Sequence, residues 1–276
     1  MKKLLCAVLL VCVFVGGASA EVVGMLSRLN ISSEEMQEKA NSDSNKFIRT
    51  LVHIDKNNVS LRHYDSAKFY DSMPAMLMAL NAGEIDFMQL PECVGEYILN
   101  ANPQTEVRGF ILMNFWFTLS LGFSEKNSAL RDKFSVAIDA MTTEGKLALL
   151  EKAYLSGPKA NHTQTVTIDK YDDAETLRVA VTGDLPPVDY IAPDGTPAGY
   201  NTAVLAEIGR RLHVNIEPVQ VDAGARAAAL TSGRVDCVFW FSDAEGMNAK
   251  YDLPEGIILT TPYFYWNKQL FIGLKK

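Results

Sequence analysis

The chain of 276 residues is short of positive charge, of cysteine and of long apolar runs. It has 26 Lys and Arg against 33 Asp and Glu, with no basic run. That leaves no footprint for gripping a phosphate backbone, so no nucleic acid is expected as a partner. Residues 4–15 form its longest uninterrupted apolar stretch near the start, and they are too few to span a bilayer, which needs roughly 20. His53, His63, His162 and His213 are scattered without metal spacing. There is no G-x-S-x-G elbow, phosphate-binding glycine loop, H-E-x-x-H or C-x-x-C. No catalytic residue, metal site or cofactor is therefore expected. Disorder is also excluded as the main state, because 48% of residues are apolar and only 21% are charged.

What is present begins with an export signal. Lys2 and Lys3 precede the apolar residues 4–15, and Ala18-Ser19-Ala20 supplies an A-x-A cleavage site. Cleavage after Ala20 would place the protein in the periplasm or outside the cell. An uncleaved anchor is the alternative. Lipid attachment at Cys12 is disfavoured because Leu9-Leu10-Val11 lacks the small residue it requires. Loss of Lys2 and Lys3 takes the net charge from −7 to −9, which favours solubility. Cys6 and Cys12 leave with the signal. Cys93 and Cys237 stay, and each is expected as a separate buried thiol, although two thiols in an exported protein can also pair.

The most informative pattern is a repeat. Ala79-Leu80-Asn81-Ala82-Gly83-Glu84-Ile85-Asp86 is matched by Ala229-Leu230-Thr231-Ser232-Gly233-Arg234-Val235-Asp236. Both read A-L-x-x-G-x-[IV]-D. Gly83 and Gly233 stand where a helix end needs a left-handed residue, and an apolar strand opens after each, at Ile85 and Val235. The flanks agree. Residues 59–64 read as a strand and 72–80 as a helix; residues 214–219 read as a strand and 223–230 as a helix. Residues 201–212 form a helix with Val204, Leu205, Ile208 and Leu212 on one face. Helices are also expected at 129–141 and 145–155, two consecutive strands at 110–123, and a polar linker at 157–176. Strands alternating with helices imply parallel sheets, so the fold class is α/β with two lobes, each a mostly parallel sheet flanked by helices. After the signal at 1–20, one lobe is expected over 21–113 and the other over 114–276.

From Leu177 the text becomes specific. Leu177-Arg178-Val179-Ala180-Val181-Thr182-Gly183-Asp184-Leu185-Pro186-Pro187-Val188-Asp189-Tyr190, then Asp194-Gly195 and Gly199-Tyr200-Asn201, resembles the start of the family 3 extracellular solute-binding proteins. The resemblance runs through the second repeat unit to Thr261-Pro262-Tyr263-Phe264-Tyr265. The first half resembles the family's other part through Val23-Gly24-Met25-Leu26, Tyr64-Asp65-Ser66, the first repeat unit and Glu144-Gly145-Lys146. The halves stand in reversed order, as in a circular permutation whose linker 157–176 joins the usual termini. A fusion of two half-proteins, or a dimer that swaps lobes, would give the same order. The resemblance implies a type II periplasmic-binding fold and a monomer. It also implies capture of a small polar solute, an amino acid or related compound, for an ABC permease. Periplasmic enzymes of dehydratase type and soluble sensing partners of membrane receptors share the fold and are the alternatives.

Ligands in such folds bind where strand ends of both lobes face the crevice. The resemblance places Asp184 there, as a contact for a ligand amine or as a turn-capping residue. Tyr190 offers an aromatic wall or plain packing. Trp240 offers a stacking surface or core filling. Ser242 and Asp243 follow on the next loop. The family's carboxylate-binding Arg falls near Asn248, and its ammonium-binding Asp falls on Pro91 with Glu92 beside it. Glu92 is either a substitute for that Asp or a solvated helix-start residue. Arg28, in a loop with Asn30, is the replacement anion anchor or a surface residue.

Overall fold

The computed structural model describes residues 21–26, 33–34, 37–38, 50–55, 58–63, 66–156, 166–244 and 253–276. The export signal, Arg28, Asn30, Asn248 and the linker residues 157–165 lie outside the described residues.

The first half runs β1 (Val22–Leu26), the hairpin β2 (Thr50–Asp55) and β3 (Asn58–His63), then β4 (Ser66–Tyr70), α1 (Met73–Ala82), β5 (Phe87–Pro91) and α2 (Glu92–Ala101). The long strand β6 (Thr105–Ser124) follows, then α3 (Ser128–Thr143) and α4 (Lys146–Tyr154). The second half runs β7 (Thr176–Val181), β8 (Asp184–Leu185), β9 (Asp189–Ile191), β10 (Pro197–Ala198), α5 (Tyr200–Leu212) and β11 (Asn215–Gln220). It ends with α6 (Arg226–Thr231), β12 (Cys237–Ala244), β13 (Ile257–Leu259) and β14 (Phe264–Leu274).

The repeat is built twice with the same backbone chemistry. α1 is capped by Ser72, whose Oγ accepts from the Ala75 amide at 3.3 Å. It stops at Gly83 (φ 75°), and Gly233 (φ 72°) stops α6. The repeat aspartates then join neighbouring strands. The Val22 amide donates to Asp86 Oδ2 and the Asp86 amide to Val22 O, each at 2.8 Å. In the second unit the Arg178 amide donates to Asp236 Oδ2 at 2.9 Å and the Asp236 amide to Arg178 O at 2.8 Å. The strands begin two residues later than the sequence implied, at Phe87 and Cys237, because each Asp is spent on this junction.

The main sheet is ordered β11-β7-β12-β6-β14-β5-β1-β4. One wing, β4-β1-β5, is parallel, and so is the other, β11-β7-β12. Helices pack on each wing, so the chain is α/β as expected. The wings are joined through the antiparallel pair β6 and β14. β6 leaves the first wing and enters the second, where it pairs with β12; β14 returns and pairs with β5. The register breaks midway: Trp266 faces Phe117, but Lys268 faces Leu112. The two strands expected at 110–123 are therefore one 20-residue strand interrupted at this break. The sequence gives the break a single mark, Asn114, which falls between the two registers.

α5 is buried along Tyr200–Gly209, including Glu207. Glu207 pairs with Arg211 (2.8 Å), Arg210 (2.8 Å) and Lys146 (3.3 Å), which locks α5 to the turn between α3 and α4. Burial pushes the Glu207 carboxyl up. Hydrogen bonds from Arg211 and Lys146, with the charge of Arg210, outweigh it and hold the group below its ordinary range. Residues after 166 dock on β11: the Tyr171 amide donates to Asn215 Oδ1 and Asn215 Nδ2 donates back to Tyr171 O, both at 2.8 Å.

Candidate functional site

A cavity of about 260 Å³ opens between the two wings. β1, β4, α1, β5 and α2 line one side with Met25, Phe69, Asp71, Met73, Gln89 and Val94. The crossing strands form its floor with Phe117, Phe264 and Trp266. Phe117 stacks on Trp266 at 5.5 Å, and Trp266 on Phe264 at 5.4 Å. The far side comes from β8, β9, α5 and α6 and holds most of the charge, Asp184, Asp189 and Arg226, with Asp71 opposite.

That cluster is assembled from separate elements. Arg226 opens α6 and is 2% exposed. Its Nη2 donates to Asp189 Oδ2 at 3.3 Å and its Nη1 to Phe239 O at 3.2 Å. Asp189 is buried too, and its Oδ2 also accepts from the Thr182 amide and hydroxyl, both at 3.1 Å. Burying either charge alone would be costly, so each is retained by the other. Asp184 sits at the cavity edge, half-buried. Burial, and then the charge of Asp189, push its carboxyl above the ordinary range, against the opposing pull of Arg226. Behind the cluster, Tyr263 Oη donates to Asn201 Oδ1 at 2.9 Å and Tyr200 Oη donates to Tyr263 O at 3.0 Å. These bonds fix Asn201, which lines the cavity, to the last crossing strand.

The residues expected from sequence are distributed unevenly. Asp184 lines the cavity. Tyr190 stands on β9 opposite Asp184 in the small sheet, outside the lining, near Tyr97 and Tyr154. Trp240 is 1% exposed and packs with Val221, Leu230 and Val238 on the face of β12 turned away from the cavity. Its neighbour Phe239 lines the cavity instead, because successive strand residues alternate faces. Ser242 and Asp243 stand on β12 rather than on a loop, because the strand runs on to Ala244 opposite Thr118 and Phe117 of β6. Glu92 opens α2 and is ion-paired with Lys268; it lines an adjoining pocket, and its neighbours Pro91 and Cys93 reach the cavity.

Three contributors went unnoticed in the sequence: Arg226, Asp189 and Phe239. A signal existed for the first, since Arg226 is the lone charge in Ala223-Gly224-Ala225-Arg226-Ala227-Ala228-Ala229. A charge set among small apolar residues on a short helix faces inward when its partner is elsewhere in the fold. Asp189 had no such mark beside Asp184.

Both thiols are free, as expected, with Cys237 buried and Cys93 half-buried in the cavity wall. Burial pushes the Cys93 thiol up to about 12. Alkylation of Cys93 by iodoacetamide at pH 7–8 should therefore be slow in the native protein and become fast only on unfolding. Peptide mass spectrometry over a time course would measure this. Native labelling as fast as in denaturant would contradict the burial.

Residues 177–274 match the model of the bacterial extracellular solute-binding proteins, family 3. The resemblance seen in the sequence from Leu177 onward is thus that of a solute-binding family. No curated protein matches the chain. Among solved structures the chain is similar to the ligand binding component of an ABC-type import system from Staphylococcus aureus with zinc bound, at 10% identity over 93% of this chain and 66% of that one, TM-score 0.43. The alkanesulfonate-binding protein SsuA from Xanthomonas axonopodis pv. citri, bound to MOPS, matches at 11% identity over 95% and 67%, TM-score 0.43. The GluR0 ligand binding core in complex with L-glutamate matches at 12% identity over 95% and 87%, TM-score 0.39. The chain spans just under two thirds of the length of the first of these. No helix among the described residues is long and apolar enough to cross a membrane, and no group of side chains among them would hold a metal ion.

Proposed function

We propose that the chain is an exported solute-binding protein that holds one small solute, an amino acid or related compound, between two lobes and presents the closed form to an ABC permease. The lobes are residues 21–113 and 114–276. The observation that carries this reading is the cavity itself: both wings line it, it has an aromatic floor, and a few charged groups are placed in its walls. Sites of this kind are concave, mostly apolar and furnished with a few placed polar groups. The match over residues 177–274 to a solute-binding family supports the same role.

The path of the chain supports permuted order. β6 carries the chain from the first wing to the second, and β14 carries it back, so the last strand completes the wing that opened the sequence. One chain supplies both walls, which favours a monomer. The signal at residues 1–20 supports delivery to the periplasm or beyond. Two crossing strands allow the wings to rotate about their shared line, with a ligand that touches both selecting the closed form.

Thermal-shift screening with amino acids, dicarboxylates, amines and dipeptides should find a stabilising compound. Small-angle scattering should then show a smaller radius of gyration with that compound than without it. A radius that never changes would remove closure from the account. Turnover of the bound compound would overturn the receptor reading in favour of an enzyme.

A further inference from the structure

The cavity's lining carries an excess of carboxylates over cations, and this narrows the guest; the inference rests on the solute-binding reading above. Arg226 is the one cation among the described residues that line the cavity. Nη2 is committed to Asp189 and Nη1 to the Phe239 carbonyl; Nε has no partner among the described residues but is buried with the rest of the side chain, 2% of the residue being exposed. A guest carboxylate would reach it only by breaking the wall. Asp184 is placed the opposite way. It is half-buried at the cavity surface and has no ion pair among the described residues. Three carboxylates, Asp71, Asp184 and Asp189, therefore line the cavity against one guanidinium, and the surplus negative charge lies in a partly desolvated site where a cation would be welcome and an anion repelled.

The rest of the lining is mostly apolar. Phe117, Phe264 and Trp266 pave the floor, and Met25, Phe69 and Val94 cover the facing side. Aromatic faces also attract ammonium groups, most strongly when water is excluded. The volume of about 260 Å³ lies at the small end for ligand sites, which rules out an extended peptide.

We propose that the cavity selects a small monoamine with an apolar or aromatic body, its ammonium held by Asp184 and its body laid on Phe117, Phe264 and Trp266, and that it needs no carboxylate on the guest. This departs from amino-acid recognition, where a free cation must meet the α-carboxylate.

Calorimetry on the purified protein with phenethylamine, isoamylamine, L-phenylalanine and phenylacetate tests it. An amine should bind, phenylacetate should not, and L-phenylalanine should bind at least about tenfold more weakly than phenethylamine. The Asp184→Asn variant, checked by its melting curve, should weaken amine binding by at least about tenfold, as loss of a charge-assisted bond requires. Asp184→Glu should restore part of it. L-phenylalanine or phenylacetate binding as tightly as the amine would overturn the proposal, and so would an unchanged amine affinity in Asp184→Asn. If amino acids or dicarboxylates stabilise the protein and amines do not, amine selection falls while the solute-binding reading stands. If no class of compound binds, both fall together.

Discussion

Replacing Arg226 with methionine should cost the fold about 3–5 kcal/mol, the largest single-residue loss expected here. The reason is asymmetry. Asp189 is 3% exposed, and once the guanidinium is gone it retains only the Thr182 amide and hydroxyl to offset a buried charge. The Phe239 carbonyl loses its donor at the same stroke. Removing both charges together should be far milder, because Arg226→Met with Asp189→Asn leaves no ion stranded. Urea unfolding of the two single variants and the double variant would measure the coupling. If Arg226→Met unfolds at the wild-type midpoint, the pair is not the internal support described above.

Gly199→Ala should come next, with a loss of at least about 2 kcal/mol. Gly199 lies at φ 95°, a region that costs an L residue about 1–3 kcal/mol. An added Cβ would also stand 2.6 Å from Pro187 O and 2.8 Å from Val188 O, which are backbone atoms that cannot step aside. Those two carbonyls accept from the Tyr200 and Asn201 amides at 3.0 and 2.9 Å, and this pins the segment between Asp184 and Asp189 to the start of α5. The variant should therefore lose ligand-induced stabilisation as well as stability. Gly195→Ala is the control: φ is 83° there, but nothing lies within 4 Å of the new methyl, so only the backbone strain remains. Equal denaturation midpoints for the two variants would show that the close approach at Gly199 carries no weight.

The local grammar of the chain was legible. Gly83 and Gly233 announced two helix ends, and the apolar spacing of Val204, Leu205 and Ile208 announced α5. In both cases one or two neighbouring residues decide the outcome. Legibility failed where the deciding partner is remote. Trp240 and Phe239 differ by one position, and which of them faces the cavity depends on the pleat that β12 inherits from pairing with β6 and β7. The Arg226–Asp189 pair joins residues 37 positions apart, and nothing local to either marks the other. The break in β6 is set by a strand some 150 residues downstream, so Asn114 alone in the run 110–123 does not declare it until β14 is laid beside it. Glu92 illustrates the same limit from the other side: Lys268, also distant in sequence, turns it into an ion pair beside the neighbouring pocket.

β14 lies in the middle of the sheet, between β6 and β5, yet it is the last of the described strands in chain order. During synthesis the wing of β1, β4 and β5 must wait, one edge bare, until Phe264–Leu274 leaves the ribosome. Such late closure over long sequence separations makes folding slow and keeps the nascent chain open. For a chain exported as proposed above, that delay would keep the polypeptide open for threading through a narrow channel, and moving this strand to the front of the gene should speed folding while impeding passage.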